Sequence, residues 1–289
     1  MSLVSIGLPV RNAEDRLADV VRSVLAQDHQ ELQLVISDNA STDGTEEVAR
    51  ELARADSRID YHRQPENIGL LNNFIHVIEH AQGTFFRWIG DDDRLEPHFV
   101  SRTLQEFAAD ERLILVTTQL SYEVADGSTQ VGEYRGTGLR SDDPVERFAE
   151  MLRLLNESYL QIDPLYAMMR RAPVAAIPRR NMLREDEVFA TKLALAGPWG
   201  HVPEVLAHRH WRAEPMTDIA RRLDVAPWRA RFATALQCRE TLQWATEHAG
   251  LTPEQQRRAR AAVYRMYLRR QRRVAARRGR RLVRMAVGR

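Results

Sequence analysis

Three consecutive carboxylates, Asp91, Asp92 and Asp93, follow a short apolar run from Phe85 to Ile89, with Gly90 between them. Adjacent acids repel one another unless something positive neutralises them. Mn²⁺ or Mg²⁺ does this through hard oxygen ligands, and such an ion can stabilise a leaving diphosphate. The stretch also reads as a solvated turn whose aspartates cap a helix starting near Pro97; taken alone, it supports both readings equally. A second acidic group, Arg184-Glu185-Asp186-Glu187, precedes an amphipathic run through Val188, Leu193 and Leu195. Acids at a helix N-terminus are favoured by the macrodipole alone, and a carboxylate within reach of a hydroxyl can also take its proton. A third group, His208-Arg209-His210-Trp211-Arg212, continues a strand-like run from Val205. Alternation along a strand puts His208 and His210 on one face.

The surrounding chain indicates how these groups are positioned. Val4–Pro9 reads as a buried strand, followed by the polar loop Val10-Arg11-Asn12-Ala13-Glu14. Leu17, Val20, Val21, Val24 and Leu25 then repeat at helical spacing. Leu32–Ile36 reads as a second strand, and Ser37–Thr45 as a loop of turn and capping residues ahead of a helix over 45–55. A third strand near Ile59–His62, the turn Pro65–Gly69, a helix over 70–81 and the strand Phe85–Ile89 follow. Strand and helix alternating at this spacing predict a parallel sheet covered by helices on both faces. In such a sheet ligands sit beyond the carboxyl ends of the strands. Pro9 to Glu14, Asp38 to Asp43 and Asp91 to Asp93 all fall at such ends, a pattern suited to a nucleotide diphosphate.

Residues 3–110 resemble the nucleotide-binding half of inverting glycosyltransferases of family 2, which have the GT-A fold. The resemblance lies in the order and spacing of Val4-Ser5-Ile6-Gly7-Leu8-Pro9, Ser23–Gln27, Val35-Ile36-Ser37-Asp38-Asn39 through Thr45, Asn67-Ile68-Gly69 and Trp88–Pro97. It implies an α/β fold with a Rossmann-like, mostly parallel central sheet flanked by helices. It also implies a nucleotide-diphosphate sugar donor, Mn²⁺ or Mg²⁺, and inversion at the anomeric carbon. Carried over by position, Pro9, Val10, Arg11 and Glu14 lie at the nucleoside, Asp38 bonds the base, and Asn67 and Asp91 serve the donor. Asp92, with Asp91 and Asp93, holds the metal; registering on Leu95 and Pro97 puts most weight on Asp92. Asp186 becomes the general base with Glu185 in support, His210 a late metal or diphosphate ligand, and Arg209 or Arg212 a phosphate partner. The chain departs from the commoner family pattern at Asp38-Asn39, where many members have two aspartates, and at Gly90, where many have an acid.

Beyond that half, a helix is expected over 97–109, a strand at Leu113–Val116, a polar hairpin and loop over 119–140, and a helix from Pro144. Leu165–Met169 reads as a strand on the acceptor side. These features predict a domain over 1–215, divided into a donor half (1–110) and an acceptor half (111–215), with a helical extension over 216–289. Residues 257–289 hold 14 Arg and no acid, leaving 28 basic against 40 acidic residues elsewhere. An Arg-rich helix of this kind can lie on anionic lipid, bind nucleic acid or be solvated. The family's use of lipid-linked and cell-envelope acceptors favours lipid, and the acidic body disfavours nucleic acid. The acceptor is then a glycan, a lipid-linked sugar or a small molecule. One cysteine, Cys238, excludes an internal disulfide and a cysteine-rich zinc site. With no apolar run near membrane-spanning length and no signal segment before the first strand, the expected location is cytoplasmic, peripheral on the inner membrane face. A nucleotidyltransferase is the nearest rival enzyme, but Val10–Glu14 lacks the glycines of a phosphate loop.

Overall fold

The computed structural model describes residues 2–124, 126–158, 160–210, 214–247 and 250–287, with side chains through 276. In chain order the elements are β1 (Val4–Val10), α1 (Leu17–Leu25), β2 (Leu32–Asp38), α2 (Thr45–Ala55), β3 (Ile59–Arg63), α3 (Leu70–His80), β4 (Phe85–Trp88), β5 (Arg94–Leu95), α4 (Phe99–Ala109), β6 (Leu115–Glu123), β7 (Thr129–Val131), α5 (Pro144–Glu157), β8 (Met168–Arg170), α6 (Arg171–Ala175), α7 (Glu185–Ala196), β9 (Trp199–His210), α8 (Met216–Arg222), α9 (Ala233–Glu247) and α10 (Pro253–Val287).

The expected α/β architecture is present: a mixed, mostly parallel sheet with helices packed against it. Its order is β3-β2-β1-β4-β8-β6-β9-β5, and β7 pairs with β6 at the side. The four N-terminal strands are mutually parallel, and β6 runs parallel to β9. β1 is buried along its whole length, as expected of a parallel strand covered on both faces. The apolar stripe of α1 (Leu17, Val20, Val21, Val24) covers one face. On the other, α3 comes so close that a Cβ on Gly7 would lie 2.7 Å from both Val77 and the Phe86 ring.

The second half differs from expectation in two places, and its extension shows how it packs. Pro164–Tyr166 forms a 3-10 turn capped by Asp163, so the strand begins only at Met168. That strand, β8, lies inside the sheet, antiparallel to both β4 and β6. The strand expected at Leu113–Val116 begins at Leu115 and runs on to Glu123, because Thr117 buries its hydroxyl against the His201 imidazole at 3.0 Å. Finally, the Arg-rich extension joins the body: Ala259, Ala262, Val263 and Met266 of α10 share one apolar cluster with Val145, Phe148 and Leu152 of α5, Leu195 of α7 and Cys238 of α9.

Because β8 is antiparallel to both of its neighbours, β4, β6 and β9 all point the same way. Their carboxyl ends therefore share one rim, which carries Asp91–Asp93, Tyr122–Glu123 and His208–His210. No helix among the described residues is long and apolar enough to cross a membrane.

Candidate active site

The rim opens into a cleft of about 1420 Å³. Its wall includes Asp91–Asp93 after β4, Glu123 at the end of β6, Asp163 and Tyr166 on the 3-10 turn, Glu185–Glu187 on the first turn of α7, and His208–His210 at the end of β9. The two acidic groups 92 residues apart in the sequence thus face one space.

Both groups are built alike: the outer acids are paired with arginine, and the middle one has no ion pair among the described residues. In the first, Asp91 forms an ion pair with Arg16 at 2.5 Å. Asp93 is wholly buried, accepts the Gly90 N–H at 3.0 Å, and meets the Arg209 guanidinium at 3.1 and 3.2 Å. Arg209 also donates to Asp163 and stacks 3.6 Å from the Tyr166 ring centre. Behind it Arg87 is fully buried, its guanidinium 4.2 Å from the Phe99 ring centre. Burial alone would lower the proton affinity of Arg209, but the charges of Asp93 and Asp163, together with Tyr166, favour its charged form and raise it well above that of an ordinary arginine. Asp92 has no ion pair among the described residues and is exposed to the cleft. Partial burial, then repulsion from Asp93 and Asp91, raises its pKa.

In the second group, Glu185 forms a fork-to-fork pair with Arg179 at 2.8 and 2.6 Å. Glu187 is held by Arg270, Gln237 and Arg184. Asp186 between them has no ion pair among the described residues. Water reaches it from the open cleft, while protein crowds its other sides. Desolvation, then the charge of Glu187, raises its pKa to about 7; the Glu187 amide N–H acts the other way by favouring the charged form. A carboxyl group at the edge of ionisation near neutral pH is suited to accept a proton. The backbone reinforces its placement, since Arg184, which starts this turn, is left-handed at φ 62°, a conformation costly outside glycine and common where a site must be held.

The residues expected around a cation have distinct environments. Asp92 supplies a free hard-oxygen donor. The His210 Nδ1 lies 2.8 Å from the Asp92 carbonyl oxygen and its Nε2 3.4 Å from a Glu123 carboxylate oxygen. Among the described residues, no three acids, histidines or cysteines converge closely enough to enclose an ion. This donor set fits Mg²⁺ or Mn²⁺, which are commonly held by one or two carboxylates with phosphate oxygens completing the shell.

The expected donor contacts divide. Asp91 faces the cleft. Pro9 and Val10 are buried at the end of β1, while Arg11 and Glu14 are exposed beside it; Glu14 accepts the Gly44 N–H at 2.9 Å. Asp38 is buried at the end of β2, and its oxygens accept from the Ser41 N–H at 2.9 Å, the Arg63 guanidinium at 2.7 Å and the Tyr61 hydroxyl at 3.0 Å. Asn67 accepts from Asn39 at 2.8 Å and from the Gly69 N–H at 3.0 Å. These residues knit the β1, β2 and α3 loops together at the rim, and none lines the large cleft. Arg212 lies outside the described residues. Sequence reasoning did not single out Arg16, Asp163, Tyr166 or Arg179. Asp163-Pro164 carries a readable helix-start signal, but the other three carry none, because their partners are brought to them only by the fold.

Residues 5–177 match the sequence profile of Glycosyl transferase family 2. The fold, with its acidic rim beyond the strand ends, is of the GT-A type: the chain superposes on S. aureus TarS 1-349 in complex with UDP-GlcNAc with a TM-score of 0.65 at 15% identity, covering 92% of this chain and 72% of that one. A mannosyltransferase, PcManGT from Pyrobaculum calidifontis, in complex with GDP-Man and Mn²⁺, gives 0.59 at 17% identity over 92% and 70% of the two chains. The protein belongs to glycosyltransferase family 2. Among its relatives is the putative teichuronic acid biosynthesis glycosyltransferase TuaG of Bacillus subtilis, 32% identical over 126 residues, or 44% of this chain and 50% of TuaG. Another is the GalNAc(5)-diNAcBac-PP-undecaprenol beta-1,3-glucosyltransferase of Campylobacter jejuni, 28% identical over 51% of this chain and 47% of the relative. The match spans about half the length of these two relatives.

Proposed function

We propose that this glycosyltransferase moves a sugar, with inversion, from a nucleotide diphosphate to an acceptor hydroxyl in the making of a cell-envelope glycan, with Mn²⁺ or Mg²⁺ bound at Asp92. The observation that carries this reading is the pair of carboxylates, Asp92 and Asp186, that have no ion pair among the described residues, each flanked by arginine-paired acids and both facing one cleft. Asp186 takes the proton of the acceptor hydroxyl. The acceptor oxygen forms its bond to the anomeric carbon from the face opposite the diphosphate, and the carbon–oxygen bond to the diphosphate breaks with its electron pair. A cation at Asp92 would supply charge stabilisation of the leaving diphosphate. Arg16, beside Asp91, offers a guanidinium near that leaving group. The domain division at about residue 215, with donor and acceptor halves and a helical extension, belongs to this reading.

The names of the relatives support a sugar nucleotide as donor and a lipid-linked or envelope glycan as acceptor. The outer face of α10 supports contact with an anionic membrane surface, since Tyr264 and Leu268 are exposed there among Arg257, Arg260, Arg265 and Arg269; aromatic and apolar groups amid arginines suit a lipid interface.

Thermal-shift titration with UDP- and GDP-sugars, with and without Mn²⁺, tests the reading. A metal-dependent rise in Tm is expected for at least one donor, and no such rise with any of them would count heavily against it. Asp92→Asn should weaken metal-dependent donor binding by roughly tenfold or more, as loss of a ligand or its support does. Asp186→Asn should lower transfer by about 10²–10⁴-fold with donor binding retained. Transfer at the parental rate would remove Asp186 as the base.

A further inference from the structure

The basic extension sends one of its arginines inward. Arg270, a turn beyond the buried Met266, is 13% exposed at its side chain. Its Nη2 donates to a Glu187 carboxylate oxygen and to the Leu155 carbonyl oxygen, the latter at 3.0 Å. Its Nη1 donates to the Gln237 side-chain oxygen at 2.7 Å, and its Nε to the Asn156 side-chain oxygen at 3.2 Å. Gln237, itself fully buried, donates to the same Glu187 oxygen at 3.0 Å. One guanidinium thus ties together α5, α7, α9 and α10 through polar groups alone. A planar fork with five donors is suited to this and an ammonium is not.

We propose that Arg270 is a positioning residue for the transfer site: by clamping Glu187 together with Gln237, it fixes the first turn of α7 and so the direction in which Asp186 faces the cleft. The inference rests on the reading of Asp186 as the base, and it makes the basic extension part of the catalytic apparatus. Glu187 directly follows Asp186, so the turn cannot shift without moving both. The clamp also sets the local field. Asp186 is faced by Glu185, Glu187 and Arg184 on its own turn, with Arg179 engaging Glu185. Asp163 faces it from the 3-10 turn. On α9 the neighbouring groups are the neutral Gln237, the Cys238 thiol and Glu240, which is engaged by Arg180 and Lys192. The ionic group of α5 nearest α7, Arg147, binds carbonyls at that helix's far end. If Arg270 were neutral, Glu187 would keep Arg184 as its ionic partner and lose the other, so more of its negative charge would bear on Asp186, and removal of Glu187 would have the opposite effect.

The test follows the Asp186 carboxyl carbon by ¹³C NMR in the full-length protein, assigned as the resonance lost in Asp186→Asn. Hydrolysis of UDP-GlcNAc and GDP-mannose is measured in parallel over pH. Arg270→Gln should move the Asp186 titration up by about half a pH unit or more, Glu187→Gln should move it down, and the double variant should return towards the parent. Arg270→Lys should keep the titration near that of the parent, because the charge remains, while lowering kcat more than it changes the donor KM. An unmoved titration in Glu187→Gln would overturn the inference even if Arg270→Gln failed to fold. So would a uniform rate loss at all pH values in Arg270→Gln with the titration in place. Full activity in Asp186→Asn would instead remove the base assignment and leave the titration result standing, so the two failures are distinguishable.

Discussion

At the scale of single residues, two aspartates have no ion pair among the described residues, while arginines engage their neighbours. The consequence for stability has a definite sign. Asp186 has its pKa raised to about 7 in the folded chain, against about 3.9 when unfolded. The unfolded state therefore releases that proton more readily. The stabilisation from the protonated form is fully present below about pH 4 and is lost as pH rises through 7. Asp186→Asn removes the titration, so its Tm should exceed that of the parent by a margin that grows from pH 5 to pH 8, as seen by differential scanning calorimetry; a constant margin would mean the carboxylate is not perturbed. If Asp186 is the base, as proposed, its charged form is the one the fold holds least comfortably, and transfer should decline below about pH 7. In the sequence, both acidic groups were visible, and registering on Leu95 and Pro97 singled out Asp92. The pairing that isolates the middle acid was not visible, because Asp93 and Arg209 lie 116 residues apart and their meeting depends on β9 reaching the rim.

At the scale of elements, the β1–β4 half was readable because each strand is an uninterrupted apolar run and each helix a clean amphipathic stripe. Close approach of α3 to β1 depends on Gly7. Gly7→Ala puts a methyl group 2.7 Å from Val77 and Phe86, so it should destabilise the fold by about 1–3 kcal/mol through overpacking, measurable as a lower midpoint in urea at unchanged m-value. The second half was less readable. Leu165–Met169 is apolar enough for a strand, yet the Asp163 cap and Pro164 turn its first residues into a 3-10 segment. What remains, β8, is three residues long, too short for alternation to reveal. Its antiparallel insertion could not be inferred locally either, since the strands on both sides of it belong to parallel pairs. The Glu185–Ala196 helix was expected from its acids, whereas its dependence on α9 and α10 is a matter of tertiary packing.

At the scale of the whole molecule, an acidic body carries a basic helix docked along one side. The inner stripe of that helix, Ala259, Ala262, Val263 and Met266, is made mostly of small residues, so its periodicity is faint beneath the surrounding arginines and its docking on α5, α7 and α9 was not legible. The outer stripe stays available for an anionic surface. The protein should pellet with vesicles containing phosphatidylglycerol and not with pure phosphatidylcholine, losing most of its binding between about 0.05 and 0.5 M NaCl as screening sets in. Salt-insensitive pelleting, or none, would argue against lipid contact through these arginines.

The docking of α10 also bears on how the chain matures. Synthesis proceeds from the N-terminus at about 5–20 residues per second, and the β1–β4 half is assembled largely from neighbours in sequence. It can collapse while later segments are still being made. The turn that bears Asp186 is different, because the groups that close around it include Gln237 and Arg270, which leave the ribosome after every strand of the sheet. On the reading of Asp186 as the base, a nascent chain would complete its first four strands before that residue is secured, and the proposed transfer chemistry would be the last part of the molecule to mature.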